Sequence, residues 1–326
     1  MDAFKKNLSF LDLFLIDTVS FFDIFDYPLT LLEIYNFLYI NGMEGENYSI
    51  TDVKNALEKS PIIKHVIKSA DGYYFLAGRA ENIIARGEKY KIADKKLKRA
   101  QRFVRMARYV PFIEFIAVCN NLALLNAGEK SDIDLFIITR KKRLFFVRFW
   151  AMLISFVLGL RVTKNKQKDR ICLSFFVSDD NLDLSEIALP GTDIYLIYWL
   201  AWLLPIYVDN LVYKKFIEKN MWVKKYLPNL LFNESSEPLL IGDTDSSRSF
   251  KNFFNFFLSG SFGWLIEKML KYFQLAAMSA EKKQMAKKDD SQVIINEQML
   301  KFHQNDRREY FRNQFEKKQK KILDNF

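Results

Sequence analysis

The sequence predicts an α+β fold in four parts: a helix-and-hairpin unit over residues 1–78, a basic helix over 79–108, a small mixed-sheet core over 109–182 and a helical region over 183–326. Three observations carry this reading. Three helical patterns, two of them with start signals, are followed by two short β-rich runs around a tight turn. A strand–turn–strand–helix–strand pattern then brackets a pair of aspartates. Beyond it, long aromatic runs have the length of helices. The 326 residues exceed one typical domain, and a chain that is 50% hydrophobic with 31 Phe has material for sizeable cores.

In the first part, Leu8–Phe25 is an apolar helix that Asp26-Tyr27-Pro28 breaks. Thr30-Leu31-Leu32-Glu33 is a capping box opening a second helix that runs to Ile40. Gly42–Asn47 is a loop. Ser49-Ile50-Thr51-Asp52 opens a third helix, which Ser60-Pro61 closes. Ile62–Lys68 and Tyr73–Ala77 are then strands around Asp71-Gly72, a hairpin turn. This is the element order of a winged helix. On DNA it would place Lys54, Asn55 and Lys59 in a groove. The same helix carries Asp52 and Glu58, which favours a packing or dimerisation platform. Residues 79–108 hold eleven Lys or Arg against three acids. Ile83, Ile84, Ile92, Leu97, Phe103 and Met106 recur there at mostly helical spacing, as in a linker helix with a solvated charged face; a nucleic-acid stripe is the competing reading.

Pro111 introduces the first strand of the core, Phe112–Val118. Ile133–Thr139 is the second, a helix follows from Lys142 to Leu160, and a basic loop, Lys164–Arg170, leads into a third strand, Ile171–Ser178. On a strand, residues two apart face the same way. Asp132 and Asp134 therefore point together off one face, with Ile133 in the core. Two carboxylates at a strand mouth can hold Mg²⁺, which neutralises a triphosphate and orients an attacking hydroxyl.

Ser131-Asp132-Ile133-Asp134-Leu135, followed by apolar Phe136-Ile137-Ile138, resembles the second strand of the polymerase-beta-type nucleotidyltransferase superfamily. The resemblance covers residues 110–180, and the flanking parts resemble those of bacterial proteins carrying this domain. It implies Mg²⁺-dependent transfer of a nucleoside monophosphate from a nucleoside triphosphate, with ATP expected, to a hydroxyl of a small molecule, protein or RNA. Asp132 and Asp134 are then the metal ligands and catalytic acids. The superfamily's phosphate-gripping Gly-Ser pair maps onto Asn120-Asn121; Asn visits left-handed backbone more readily than most residues. Lys130 and Ser131 complete the expected nucleotide-binding set, with Arg140, Lys141 and Lys142 as further cations. The superfamily's third carboxylate lies on the next strand, where Ile171–Val177 has none. Cys172 or Ser174 stands at the matching position, Asp169 precedes it, and Asp179 and Asp180 follow at the far end. An active transferase and a catalytically degenerate nucleotide- or nucleic-acid-binding regulator both stay open.

The net charge of +10 favours anionic partners. Cys119 and Cys172 form no framework, which fits a reducing cytosol, and the cytoplasm is the expected location. His65 and His303 lie far apart in sequence, which excludes a multi-His metal site and disfavours a Ser-His hydrolase. Met1–Lys6 shows no secretory signal. The apolar runs Phe149–Leu160 and Ile194–Val208 fall short of the ~17–25 residues that a spanning helix needs, so no transmembrane segment is expected and both read as buried helices. A helix lying on a membrane surface is the competing reading. Thr192–Ile217 and Ser249–Ala280 read as aromatic helical regions whose rings belong to the core, Asn233–Arg248 as a polar loop, and His303–Lys321 as a solvated helix.

Overall fold

The structure, a computed structural model, describes residues 8–43, 47–163, 165–232, 239–288 and 290–324. The N-terminal reading of Met1–Lys6, the middle of the expected Gly42–Asn47 loop, Lys164 and the first residues of the expected Asn233–Arg248 loop lie outside them.

Helix α1, Phe10–Asp23, begins at a Ser9/Asp12 capping box. A two-residue strand β1, Leu29–Thr30, leads into α2, Leu31–Asn36, capped by Thr30 and Glu33 as the sequence indicates. Helix α3, Ile50–Lys59, starts at Ser49/Asp52 and ends at Ser60. The expected strand Ile62–Lys68 is instead helix α4, Pro61–Val66, followed by strand β2, Ile67–Ala70. Ser60 accepts a hydrogen bond from the Ile63 amide and Pro61 sits at the first helical position, a start signal that overrides the β-branched run. Strand β3, Tyr73–Leu76, pairs with β2 around Asp71 and Gly72, both at positive φ, and with β1 on its other side, giving the order β1-β3-β2.

Helix α5, Asn82–Ala107, is the long basic helix. A central sheet follows: β4 (Ile113–Val118), the short helix α6 (Asn120–Ala123), β5 (Ile133–Thr139), α7 (Leu144–Val157) and β6 (Ile171–Ser178). β4 runs antiparallel to β5, and β5 parallel to β6. The region after residue 182 is mostly helical, but it also supplies strands. Helix α8, Ile194–Trp202, breaks into strand β7, Leu204–Val208, so the apolar run read as one buried helix is half strand. β7 is an edge strand, where Pro205 is tolerated. Helices α9 (Asn210–Lys219), α10 (Asp245–Leu258), α11 (Ser261–Ala276) and α12 (Ala280–Met285) precede a hairpin of β8 (Val293–Ile295) and β9 (Met299–Phe302), and helix α13 is Arg308–Leu323. The sheet order is β7-β4-β5-β6-β9-β8.

The sheet is buried on both faces, as continuous apolar strands require. One face carries Phe115, Phe136 and Phe175. Against it packs α8, and on α8 the N-terminal unit, in one cluster that includes Phe21, Phe22, Tyr198 and Trp202. The other face carries Ile133, Leu135 and Ile137 and is covered by α5 and α7 through Leu97, Phe103, Phe145 and Val147. Two burial expectations fail here. The outward side of α7 leaves Phe156 65% and Val157 73% exposed, and α10 and α11 likewise expose much of their aromatic content.

Candidate functional site

β5 emerges between two strands, so its side chains alternate strictly between the two cores. Ile133 and Leu135 go to the α5/α7 side, which turns Asp134 to the other face. Asp132, two residues earlier, faces the same way. On the neighbouring strand Asp134 lies beside Cys172. One ligand atom each from Asp132, Asp134 and Cys172 lies within 4.8 Å of the others. The register between β5 and β6 then shifts: Asp134 pairs with Cys172 but Phe136 with Phe175. Leu173 and Ser174 thus oppose Leu135 alone, a bulge that re-aims side chains next to the carboxylates. Cys172, Ser174 and Phe175 all line one cavity of about 560 Å³ with Asp132 and Asp134.

The turn ahead of Asp132 is held from below. Lys96 of α5 has no exposed surface; its Nζ donates to the Ser131 carbonyl at 2.6 Å and pairs with Asp169 Oδ1 at 2.8 Å. Asp169 also pairs with Arg99 at 2.6 Å. Against the upward push of burial, the two cations hold Asp169 below the usual carboxylate range. Asp169 is therefore an anchor for the turn, and the third side chain beside Asp132 and Asp134 is Cys172.

Asn120 stands at φ +57°, the left-handed backbone that its side chain tolerates. Its Nδ2 donates to Asp134 Oδ2 at 2.8 Å, and its Oδ1 accepts from Trp199 Nε1 at 3.0 Å and from the Tyr195 hydroxyl at 3.3 Å. Asn120 thus orients Asp134 and is itself fixed by two aromatic side chains of α8. Asn121 and Ser131 also line the cavity, while the Ser131 hydroxyl donates to the Gly128 carbonyl at 2.9 Å. Lys130 lines an adjoining basic groove with Arg99, Lys166 and Lys168 instead. Arg140, Lys141 and Lys142 follow the far end of β5, beyond the reach of a group bound at its mouth; Arg140 pairs there with Glu114 at 2.9 Å.

The cavity's cations come from a segment in which the sequence shows no motif, residues 301–308. Lys301 is buried and pairs with Asp306 at 2.8 Å; burial and the neighbouring Arg308 charge lower its pKa to about 8. Arg308 pairs with Asp193 at 3.0 Å and with Asp306 at 2.9 Å. Burial would raise Asp306, but Arg308 and Lys301 bring it down to about 2. Arg307 is exposed at the cavity wall, with its guanidinium 4.5 Å from the Tyr310 ring centroid and 5.1 Å from that of Phe311. It forms no ion pair among the described residues. His303 Nε2 lies 3.2 Å from Ser174 Oγ, and burial lowers its pKa to about 4, so the ring is neutral at pH 7.

Burial, and the charge of Asp132, raise Asp134 to about 6; burial also raises Asp132. Burial and the two adjacent carboxylates push the Cys172 thiol well above its ordinary value, so it is protonated while no ion is bound. Two converging carboxylates offer hard oxygen ligands of the kind that suit an ion such as Mg²⁺. Comparison with protein-family models, with curated proteins and with solved structures gives no match.

Proposed function

We propose that the chain is an Mg²⁺-dependent nucleotidyltransferase that moves a nucleoside monophosphate from a nucleoside triphosphate, ATP being the expected donor, to a hydroxyl acceptor. The observation that carries this is the convergence of Asp132 and Asp134 at the mouth of β5, in a cavity of about 560 Å³, within the size range of small-molecule sites. Asp132 and Asp134 would hold the ion, which supplies charge neutralisation of the triphosphate and alignment of the attacking oxygen. Asn120 keeps Asp134 turned into the cavity. Arg307 offers a guanidinium to phosphate oxygens, and its stacking on Tyr310 and Phe311 limits the conformations it must give up on binding. Lys96 and Asp169 hold the turn that places Asp132.

Cys172 stands where a third acid would activate the acceptor, and this favours a second reading, a binding module with little or no turnover. A thermal-shift panel with ATP, CTP, GTP and UTP, each with and without Mg²⁺, separates binding from its absence. A stabilisation that needs Mg²⁺ and disappears in Asp132→Asn/Asp134→Asn supports the nucleotide site. Pyrophosphate release in the presence of candidate acceptors then distinguishes turnover from binding. No shift with any nucleotide overturns the transferase reading and the nucleotide-binding form of the second.

A further inference from the structure

The face of the central sheet opposite the cavity ends in an apolar surface that no part of the described chain covers. Helix α7 turns Phe149, Trp150, Leu153, Phe156 and Val157 outward, a stripe at helical spacing. Helix α10 does the same with Phe250, Phe253, Phe256 and Phe257, and α11 with Phe262, Leu265, Met269, Tyr272 and Phe273. Phe256 is 80% exposed. Helix α11 packs against both α7 and α10, so the stripes lie side by side.

The arrangement is built. Glu267 of α11 accepts from the backbone amides of Phe145 and Phe146 at 2.8 Å each, capping the first turn of α7. Gln274 Nε2 donates to the Phe145 carbonyl at 2.7 Å. At the α10–α11 turn, a Cβ on Gly263 would lie 1.8 Å from the Leu258 carbonyl oxygen, so only glycine permits this close hairpin. The polar interactions between the helices hold them edge to edge and leave the rings outside.

We propose that this three-helix face docks in the interfacial layer of an anionic lipid bilayer. Its chemistry matches that layer: Phe and Leu for the acyl boundary, with Trp150, Trp264 and Tyr272 as amphipathic rings. Its charge matches too. Between residues 246 and 290 the chain carries eight basic residues and four acids, Glu267, Glu281, Asp289 and Asp290. Glu267 is buried between α7 and α11. Asp243, Asp245 and Glu297 pair with Lys251, Arg248 and Lys271, which leaves Lys268, Lys283, Lys287 and Lys288 exposed on α11 and the segment after it. A second copy seated on the same face would bring these cations together, which disfavours self-association. No described helix is long and apolar enough to cross a membrane. The docking is therefore in the interface plane. It does not rest on the nucleotide reading, since the carboxylates lie on the other face of the sheet.

Flotation of the full chain on a density gradient tests this, because aggregated protein sinks and only lipid-bound protein rises. The vesicles are phosphatidylcholine alone or with phosphatidylglycerol. The wild type is expected to float with the anionic vesicles and to be lost from them as salt rises. Phe256→Ser/Phe273→Ser, at exposed positions that leave the fold unchanged, is expected to lower the partition coefficient by about tenfold or more. Lys268→Glu is expected to lower it on anionic vesicles. Failure to float with anionic vesicles overturns the proposal, as does equal flotation with neutral ones. A lipid-free dimer in sedimentation velocity that Phe256→Ser/Phe273→Ser dissolves would overturn it in favour of a second copy.

Discussion

Lys96 is a charged side chain with no exposed surface, and its position explains why Asp132 is held at all. Nothing in its sequence neighbourhood marks it: it is one of eleven cations in residues 79–108. The carbonyl of Ser131 and the carboxylate of Asp169 converge on it from elsewhere in the chain. Lys96→Met leaves both without that donor. Asp169 retains Arg99, so the expected loss is about 1–3 kcal/mol in urea unfolding rather than the larger cost of a fully orphaned charge. The Mg²⁺-dependent nucleotide shift is expected to shrink as well, because the turn before Asp132 loosens. Asn120→Ala removes the donor to Asp134 and the acceptor for Trp199, and the same two assays should register a loss of about 1–3 kcal/mol. Asp17 is a residue whose charge works against the fold. Burial raises its pKa to about 7, with only Gln319 Nε2, 2.8 Å away, opposing the rise. A carboxyl whose folded pKa lies above its unfolded value binds more protons when folded, so stability falls as pH rises from about 4 to about 7 and is flat above. Asp17→Asn keeps an acceptor for Gln319. It should flatten that slope and stabilise the chain at pH 8, at ~1.4 kcal/mol per pH unit of displacement. Melting curves across pH 4–8 give the comparison.

The elements divide by how local their instructions are. The capping boxes at Thr30/Glu33 and Ser49/Asp52, the Asp71-Gly72 turn, and strands β5 and β6 are legible because each is specified within a few residues. Pro61–Val66 was open to misreading because β-branched residues suit a strand while Ser60-Pro61 starts a helix, and the cap prevails. The run Ile194–Val208 carries no punctuation but Pro205; what makes its second half a strand is the free edge of β4. At Gly263 the element argument makes a prediction of opposite sign to helix propensity. Gly→Ala inside a helix ordinarily stabilises by roughly 1 kcal/mol. Gly263→Ala would drive a Cβ into the Leu258 carbonyl, and the expected result is destabilisation by at least about 1–3 kcal/mol in thermal unfolding, on the scale of overpacked sites.

At the scale of the whole molecule the N-terminal unit is part of a continuous core. Phe21 stacks on Tyr198 at 4.3 Å, and Tyr39 meets both Tyr198 and Phe315. Asp23 pairs with Lys318 of α13 as well as with Arg79. A fragment of residues 1–78 would expose this whole aromatic face. It is expected to lack a cooperative unfolding transition and to bind a hydrophobic dye; a sharp transition in the isolated fragment would show that its own core suffices. The outer face of α3 carries Lys54 paired with Glu58 at 3.9 Å, beside Asp52 and Lys59, a mixed surface rather than a cationic stripe. The two faces of the central sheet differ in what they carry: one holds the carboxylate cavity, and the other supports the apolar three-helix surface.

The sequence by itself determined the α+β class, the strand that presents Asp132 and Asp134, and the caps and turns of the N-terminal unit, because these depend on alternation and on contacts a few residues apart. Tertiary structure decided the rest of the site. Cys172 and Ser174 enter the cavity through a bulge in β6, and Arg307 arrives on a segment 173 residues beyond Asp134. Which aromatic helices are buried was also a tertiary matter. α8 and α11 read alike as sequence, yet α8 lies between the sheet and the N-terminal unit while the outer side of α11 meets no other element among the described residues. Apolar composition states what a helix can bury, and only the arrangement of its neighbours states what it does bury.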